Sequence, residues 1–154
     1  MLKSFENELL ELLKDFKVRM YLGEFEDTQN IASCINNLDA SLLLDFEGES
    51  YKDLENKVGT WKLYILTHTK SKAPKHRIDA KHKLFDAIEA VDKVLLNAEP
   101  SNGFRIELKD LKKVYEGISD HGYLSIYART LQSSFLPKDD FFKDLKCFLS
   151  IKKI

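Results

Sequence analysis

Three features of the sequence predict an α+β fold. Runs of strand-like alternation are separated by only two long helical stretches. The runs follow one another with few crossovers, which favours an antiparallel sheet. A hydrophobic share of 44% in 154 residues is enough for one sizeable core. The expected architecture is a single domain with a mostly antiparallel sheet of about five strands, packed by two long helices, plus a short C-terminal helix. Residues 1–137 form its body, and 138–154 the terminal amphipathic helix of the same domain.

The first helix is read from Leu2, Phe5, Leu9, Leu12, Leu13 and Phe16, whose three- and four-residue steps make one apolar stripe over residues 2–16. Val18, Met20 and Leu22 then alternate with Lys17, Arg19 and Tyr21, a strand pattern ending at Gly23. Residues 24–37 are polar and read as a loop, with a helical turn around Ile31 to Cys34. A second strand covers 40–47, with its exit turn at Gly48 to Asp53. The clearest strand is 58–69: Trp61, Leu63, Ile65 and Thr67 point one way, Lys62, Tyr64, Leu66 and His68 the other. Two largely apolar faces predict a central strand packed on each side.

Lys70 to Arg77, with Pro74 inside it, reads as a basic loop. Asp79 to Leu96 is the second long helix, burying Leu84, Phe85, Ile88, Val91, Val94 and Leu95, and Asn97 to Gly103 ends it. Phe104, Ile106 and Leu108 open another strand, which resumes at Val114 and Tyr115 after a basic kink. Gly117 to Gly122 is turn-like, and Tyr123 to Gln132 a long closing strand. After Pro137, the run Asp140 to Leu149 has the pattern of a short amphipathic helix.

Acids and bases make up 32% of the chain yet cancel to a net charge of −1, so there is no broad positive excess of the kind that binds a phosphate backbone. Sequence-specific nucleic-acid binding is therefore not expected, and Tyr64, Tyr115, Tyr123 and Tyr127 read as packing residues. Residues 24–55 are acidic, with Asp45, Glu47, Glu49 and Asp53 among nine acids against Lys52. Residues 70–83 are basic, with Lys70, Lys72, Lys75 and Arg77 among six cations against Asp79. Two solvated faces account for this asymmetry. So does a head-to-tail contact in which opposite patches of like subunits meet, building a ring or filament.

Cys34 and Cys147 form no C-x-x-C motif, so neither a disulfide framework nor a zinc knuckle is expected, and a reducing cytosol is the default. The N-terminus lacks the order of a signal peptide, and no apolar run approaches the ~20 residues of a membrane span. His68, His76, His82 and His121 show no metal-binding spacing, with His68 and His121 placed where imidazoles are commonly solvated. A Gly-rich phosphate loop and a nucleophile elbow are also missing, so no catalytic group, metal or cofactor is expected. One fragment carries an alternative. Glu107-Leu108-Lys109 has the E-x-K form of metal-dependent nucleases, which also need an acid on a neighbouring strand.

The order of elements and four segments resemble the Mu-like phage family around gene product 37, small tail-completion proteins similar to tail terminators. The segments are the opening helix Phe5 to Leu13, the strand Ala40 to Gly48, the stretch Trp61 to Thr67 with its basic loop and the helix His82 to Ile88, and the closing strand Leu124 to Leu131. The resemblance covers roughly residues 3–136, and the tail after Pro137 departs from it. It implies a structural protein without enzymatic activity that caps the tail tube, usually as a six-membered ring, and joins it to the head. Its partners would be further copies of itself, the tube and sheath, and head-tail connector proteins, in the bacterial cytoplasm during assembly and then in the virion tail. The expected subunit contact sets Asp45, Glu47, Glu49 and Asp53 against Lys70, Lys72, Lys75 and Arg77 of a neighbour. The competing readings are the nuclease and a host adaptor domain that binds a peptide at a sheet edge.

Overall fold

The computed structural model describes residues 1–26 and 40–136. Its elements are α1 (Leu2–Leu12), a 3-10 turn (Lys14–Phe16), β1 (Val18–Met20), a second 3-10 turn (Glu24–Glu26), β2 (Ser41–Tyr51), β3 (Lys57–Thr69), α2 (Pro74–Leu96), β4 (Glu107–Ser119) and β5 (Gly122–Phe135). The fold is α+β: one five-stranded mixed sheet in the order β1-β2-β3-β5-β4, with two helices. The β2–β3, β3–β5 and β4–β5 pairings are antiparallel, and β1–β2 is parallel. The terminal helix expected over 138–154, the helical turn around 31–34 and both cysteines lie outside the described residues.

β3 is central and packed on both faces, as its two apolar sides predict. On one face Trp61, Leu63 and Ile65 meet Phe5, Leu9 and Leu13 near α1 and Leu84, Ile88, Val91 and Leu95 of α2. Trp61 is fully buried, with ring centroids 4.8 Å from Phe5, 5.0 Å from Phe46 and 6.2 Å from Phe135. Its Nε1–H donates to Glu6 Oε2 at 3.1 Å, so its polar atom is not stranded in the core. On the opposite face Leu43, Leu66 and Ile126 form a smaller cluster, with Tyr21, Phe25, Tyr64 and Leu124 packed against it.

Several expected boundaries move, each for a physical reason. The first helix spans 11 residues, and its stripe is completed by the 3-10 turn that holds Phe16. The basic loop is shorter than expected. Pro74 is the first residue of α2, where its missing N–H costs nothing, so Lys75 and Arg77 are helical. Phe85, expected inside, is 42% exposed and leans on Tyr127 at 6.5 Å between centroids. β2 does not stop at Gly48. The register shifts there from Phe46↔Trp61 to Gly48↔Thr60, a bulge with Gly48 at φ +149°, and the strand runs on to Tyr51.

The basic kink in β4 is likewise a pair of bulges within a continuous strand, between Leu108 and Leu111 and between Lys113 and Tyr115. Arg129 helps to hold the first. Its Nη1–H donates to the Lys109 carbonyl at 3.0 Å, while Nε and Nη2 grip Asp92 of α2 at 3.0 and 2.5 Å. This bidentate pair joins helix to sheet with both side chains largely covered. The turn between β4 and β5 is only Asp120-His121, closed by the Ser119↔Gly122 pair.

Candidate functional site

Of the expected contact residues, Asp53 and the four cations lie towards opposite ends of one sheet, while Asp45 and Glu47 sit nearer its middle, opposite Lys62 and beside the bulge. β3 has 13 residues, which span about 40 Å. At its start lies the β2–β3 hairpin tip, 52–56, and at its end the chain leaves through Lys70 and Lys72 into α2. Because β5 also begins near Thr69, the β4–β5 turn joins the basic end. The acidic and basic patches are thus separated within the subunit.

Most of the acids are already engaged. Glu47 pairs with Lys62 across the bulge at 2.9 Å, and Glu49 with the buried Lys57 at 2.9 Å. The bond from Glu47 raises the Lys62 pKa. Asp45 is half-buried opposite Lys62, and burial followed by the nearby Glu47 pushes its carboxyl above the usual range. Asp53 is exposed and builds the turn. Its Oδ1 accepts from Glu55 N at 2.8 Å, Asn56 N at 2.9 Å and Asn56 Nδ2 at 3.1 Å, and these bonds, led by the Asn56 side chain, lower its pKa. Glu47 and Glu49 are therefore paired within the subunit, and Asp53, bonded into its own turn, is the one of the four at the tip. On the basic side Lys70, Lys72 and Lys75 are exposed and Arg77 is half-buried.

Two of the histidines serve as local ties. His68 is half-buried and its Nε2–H donates to the His121 carbonyl at 2.8 Å, which fixes its tautomer and links the end of β3 to the β4–β5 turn. His76 Nδ1 bonds Ser71 Oγ at 2.5 Å ahead of α2. Glu107 and Lys109 pair with each other at 3.0 Å, and that contact lowers the Glu107 pKa. The residue opposite Glu107 on β5 is Gln132, not an acid. Among the described residues no group of three His, Cys, Asp or Glu side chains is placed to hold a metal ion. No helix among them is long and apolar enough to cross a membrane.

Sequence reading missed a polar cluster at the basic end. Glu116 on β4 receives Lys81 of α2 at 2.7 Å, Lys113 at 2.8 Å and the Tyr123 hydroxyl, which donates a short bond. Together, in the order Lys113, Lys81, Tyr123, they hold the Glu116 pKa down at about 2. Burial, then the Glu116 bond, raises that of Tyr123. A depressed carboxyl stabilises the fold fully above its ordinary value of 4.5 and loses that contribution as pH falls towards 2. Glu116→Gln is expected to cost about 1–3 kcal/mol at neutral pH. Its urea midpoint should also vary less with acidity than the wild type's between pH 5 and 2. An unchanged pH slope would contradict this.

This cluster walls a cleft of about 590 Å³ lined by Pro74, Arg77, Ile78, Lys81, Gly117, Ile118 and Tyr123. No sequence motif announces it, because its two sides lie some forty positions apart in the chain. At the opposite end Leu54 is 96% exposed and Tyr51 61%.

A scan against protein-family models gives no match to this chain, and a search of curated proteins gives none either.

Proposed function

We propose that this chain is a structural assembly protein of a contractile phage tail, one that completes the tail tube as a ring of like subunits and offers a surface to the head. The carrying observation is the presence of unlike surfaces at the two ends of one rigid strand. The hairpin tip holds Asp53 and an exposed Leu54, and the far end holds Lys70, Lys72, Lys75 and Arg77 beside a cleft. A ring needs one patch that complements a different patch on the next copy, with a rotation that closes. The segment resemblance points to the same class and names the partners: tube, sheath and head-tail connector.

Because Glu47 and Glu49 are matched inside the subunit, charge steers this contact rather than supplying most of its strength. The test is native mass spectrometry across protein concentration and salt. The wild type should give a discrete ring, most tellingly a hexamer, that loosens as salt rises. Lys72→Glu, Lys75→Glu and Arg77→Glu together should shift it to monomer. A ring that survives the triple reversal at low salt would show that the basic segment is not in the contact.

A further inference from the structure

We propose that the β2–β3 hairpin tip of one copy seats in the cleft between the start of α2 and the β4–β5 hairpin of the next, with Leu54 as its apolar anchor. This deepens the ring reading and rests on it.

The tip is built to present Leu54. Its backbone is closed by Lys52 N–H donating to the Asn56 carbonyl at 2.9 Å, and Asp53 ties the turn through the amides of Glu55 and Asn56. A loop already fixed in shape loses little conformational freedom on binding. Leu54 is nonetheless 96% exposed and Tyr51 61%, at the end of a hairpin whose strands have 11 and 13 residues. Apolar surface held out in water by a rigid turn is stabilised when a partner covers it.

The cleft offers the complementary chemistry. Its apolar walls are Pro74, Ile78 and Ile118, of which Ile78 is 54% and Ile118 50% exposed. Its cations are Arg77 and Lys81, and the Arg77 Nε is enclosed with no hydrogen-bond partner among the described residues. The one acid in the cleft, Glu116, is matched by two ammonium groups and a hydroxyl, so it does not repel an incoming carboxylate as a bare charge would. A leucine flanked by Asp53 and Glu55 thus meets an apolar floor flanked by an arginine and the exposed Lys70, Lys72 and Lys75. Knob and socket are unlike surfaces at opposite ends of β3, so each copy can offer its knob to one neighbour and its socket to another. Such a head-to-tail contact closes as a ring. A hairpin tip covers less than the roughly 1,000 Å² of a stable pairwise interface, so single contacts are weak and closure holds the assembly.

Leu54→Asp damages the knob and leaves the socket intact, whereas Ile78→Asp damages the socket and leaves the knob. Both positions are exposed, Leu54 at 96% and Ile78 at 54%, so both variants should fold, as circular dichroism would show. Leu54→Ser repeats the knob loss without adding charge. By sedimentation velocity and native mass spectrometry, each variant alone should associate at least about tenfold more weakly than the wild type. An equimolar mixture of Leu54→Asp and Ile78→Asp should give, at high concentration, a weak one-to-one heterodimer and nothing larger, because only one knob–socket pair remains and no ring can close. A wild type that assembles while either variant assembles equally well would overturn the contact and leave the ring reading standing. So would a mixture that builds species larger than a heterodimer. A wild type that stays monomeric at every concentration would overturn the ring reading, and the contact with it.

Discussion

Trp61→Ala is expected to lower the folding free energy by about 3–5 kcal/mol, the largest loss from any single side chain here. Trp61 is fully buried where three elements meet: Phe5 of α1, Phe46 of β2 and Phe135 of β5 all contact its ring. The neighbours are themselves interlocked, with Phe5 and Phe135 edge-to-face at 5.4 Å, so they cannot collapse freely into the space. Truncation also removes the donor to Glu6 Oε2 and detaches α1 from the sheet on its polar side. Urea denaturation followed by circular dichroism measures the effect, since Trp61 is the only tryptophan and its fluorescence is lost with it. A loss below about 1 kcal/mol would mean that α1 is not anchored at this position.

Gly122→Ala is expected to cost at least about 3 kcal/mol, through backbone conflict rather than lost packing. Gly122 sits at φ +116°, and a Cβ there would lie 2.1 Å from the Thr69 carbonyl oxygen and 2.8 Å from Lys70 Cα. Both are backbone atoms, so no side-chain rotation relieves the clash. The Asp120-His121 turn would have to open or β3 to end earlier, and either shift moves Ile118 against Ile78 across the cleft. Stability and self-association should therefore fall together in this variant, whereas Trp61→Ala acts on stability alone until the protein unfolds. A thermal midpoint within about 2 °C of the wild type would contradict the geometry at the turn.

Much of the fold was legible because its signals are local. The two apolar faces of 58–69 mark β3 as central and doubly packed, and the sheet order puts it there. The order of helices and strands through 135 also follows from periodicity. The misreadings come from residues with two structural uses. Pro74 reads as a loop breaker, yet proline is equally at home in the first position of a helix. Gly48 reads as a turn, yet glycine also permits a bulge inside a strand. Gly117 reads as the start of a turn, yet β4 continues through it to Ser119.

The site was less legible because its residues are joined only by the fold. Glu47 with Lys62, Glu49 with Lys57, and Glu116 with Lys81 are set by strand register and helix packing, not by spacing in the chain. Counting charges along the chain marks two oppositely charged segments, but it could not show that Glu47 and Glu49 pair within the subunit. Leu54 and Ile78 are ordinary leucine and isoleucine in the sequence, and only their exposure distinguishes them.

The central claim, that this chain assembles head-to-tail with copies of itself, is tested most directly by native mass spectrometry of the wild type over a wide concentration range at low and moderate salt. One discrete ring is expected, with few intermediates between it and the monomer because closure stabilises the complete species. A strictly monomeric protein throughout, or a symmetric dimer that grows no further, would contradict it.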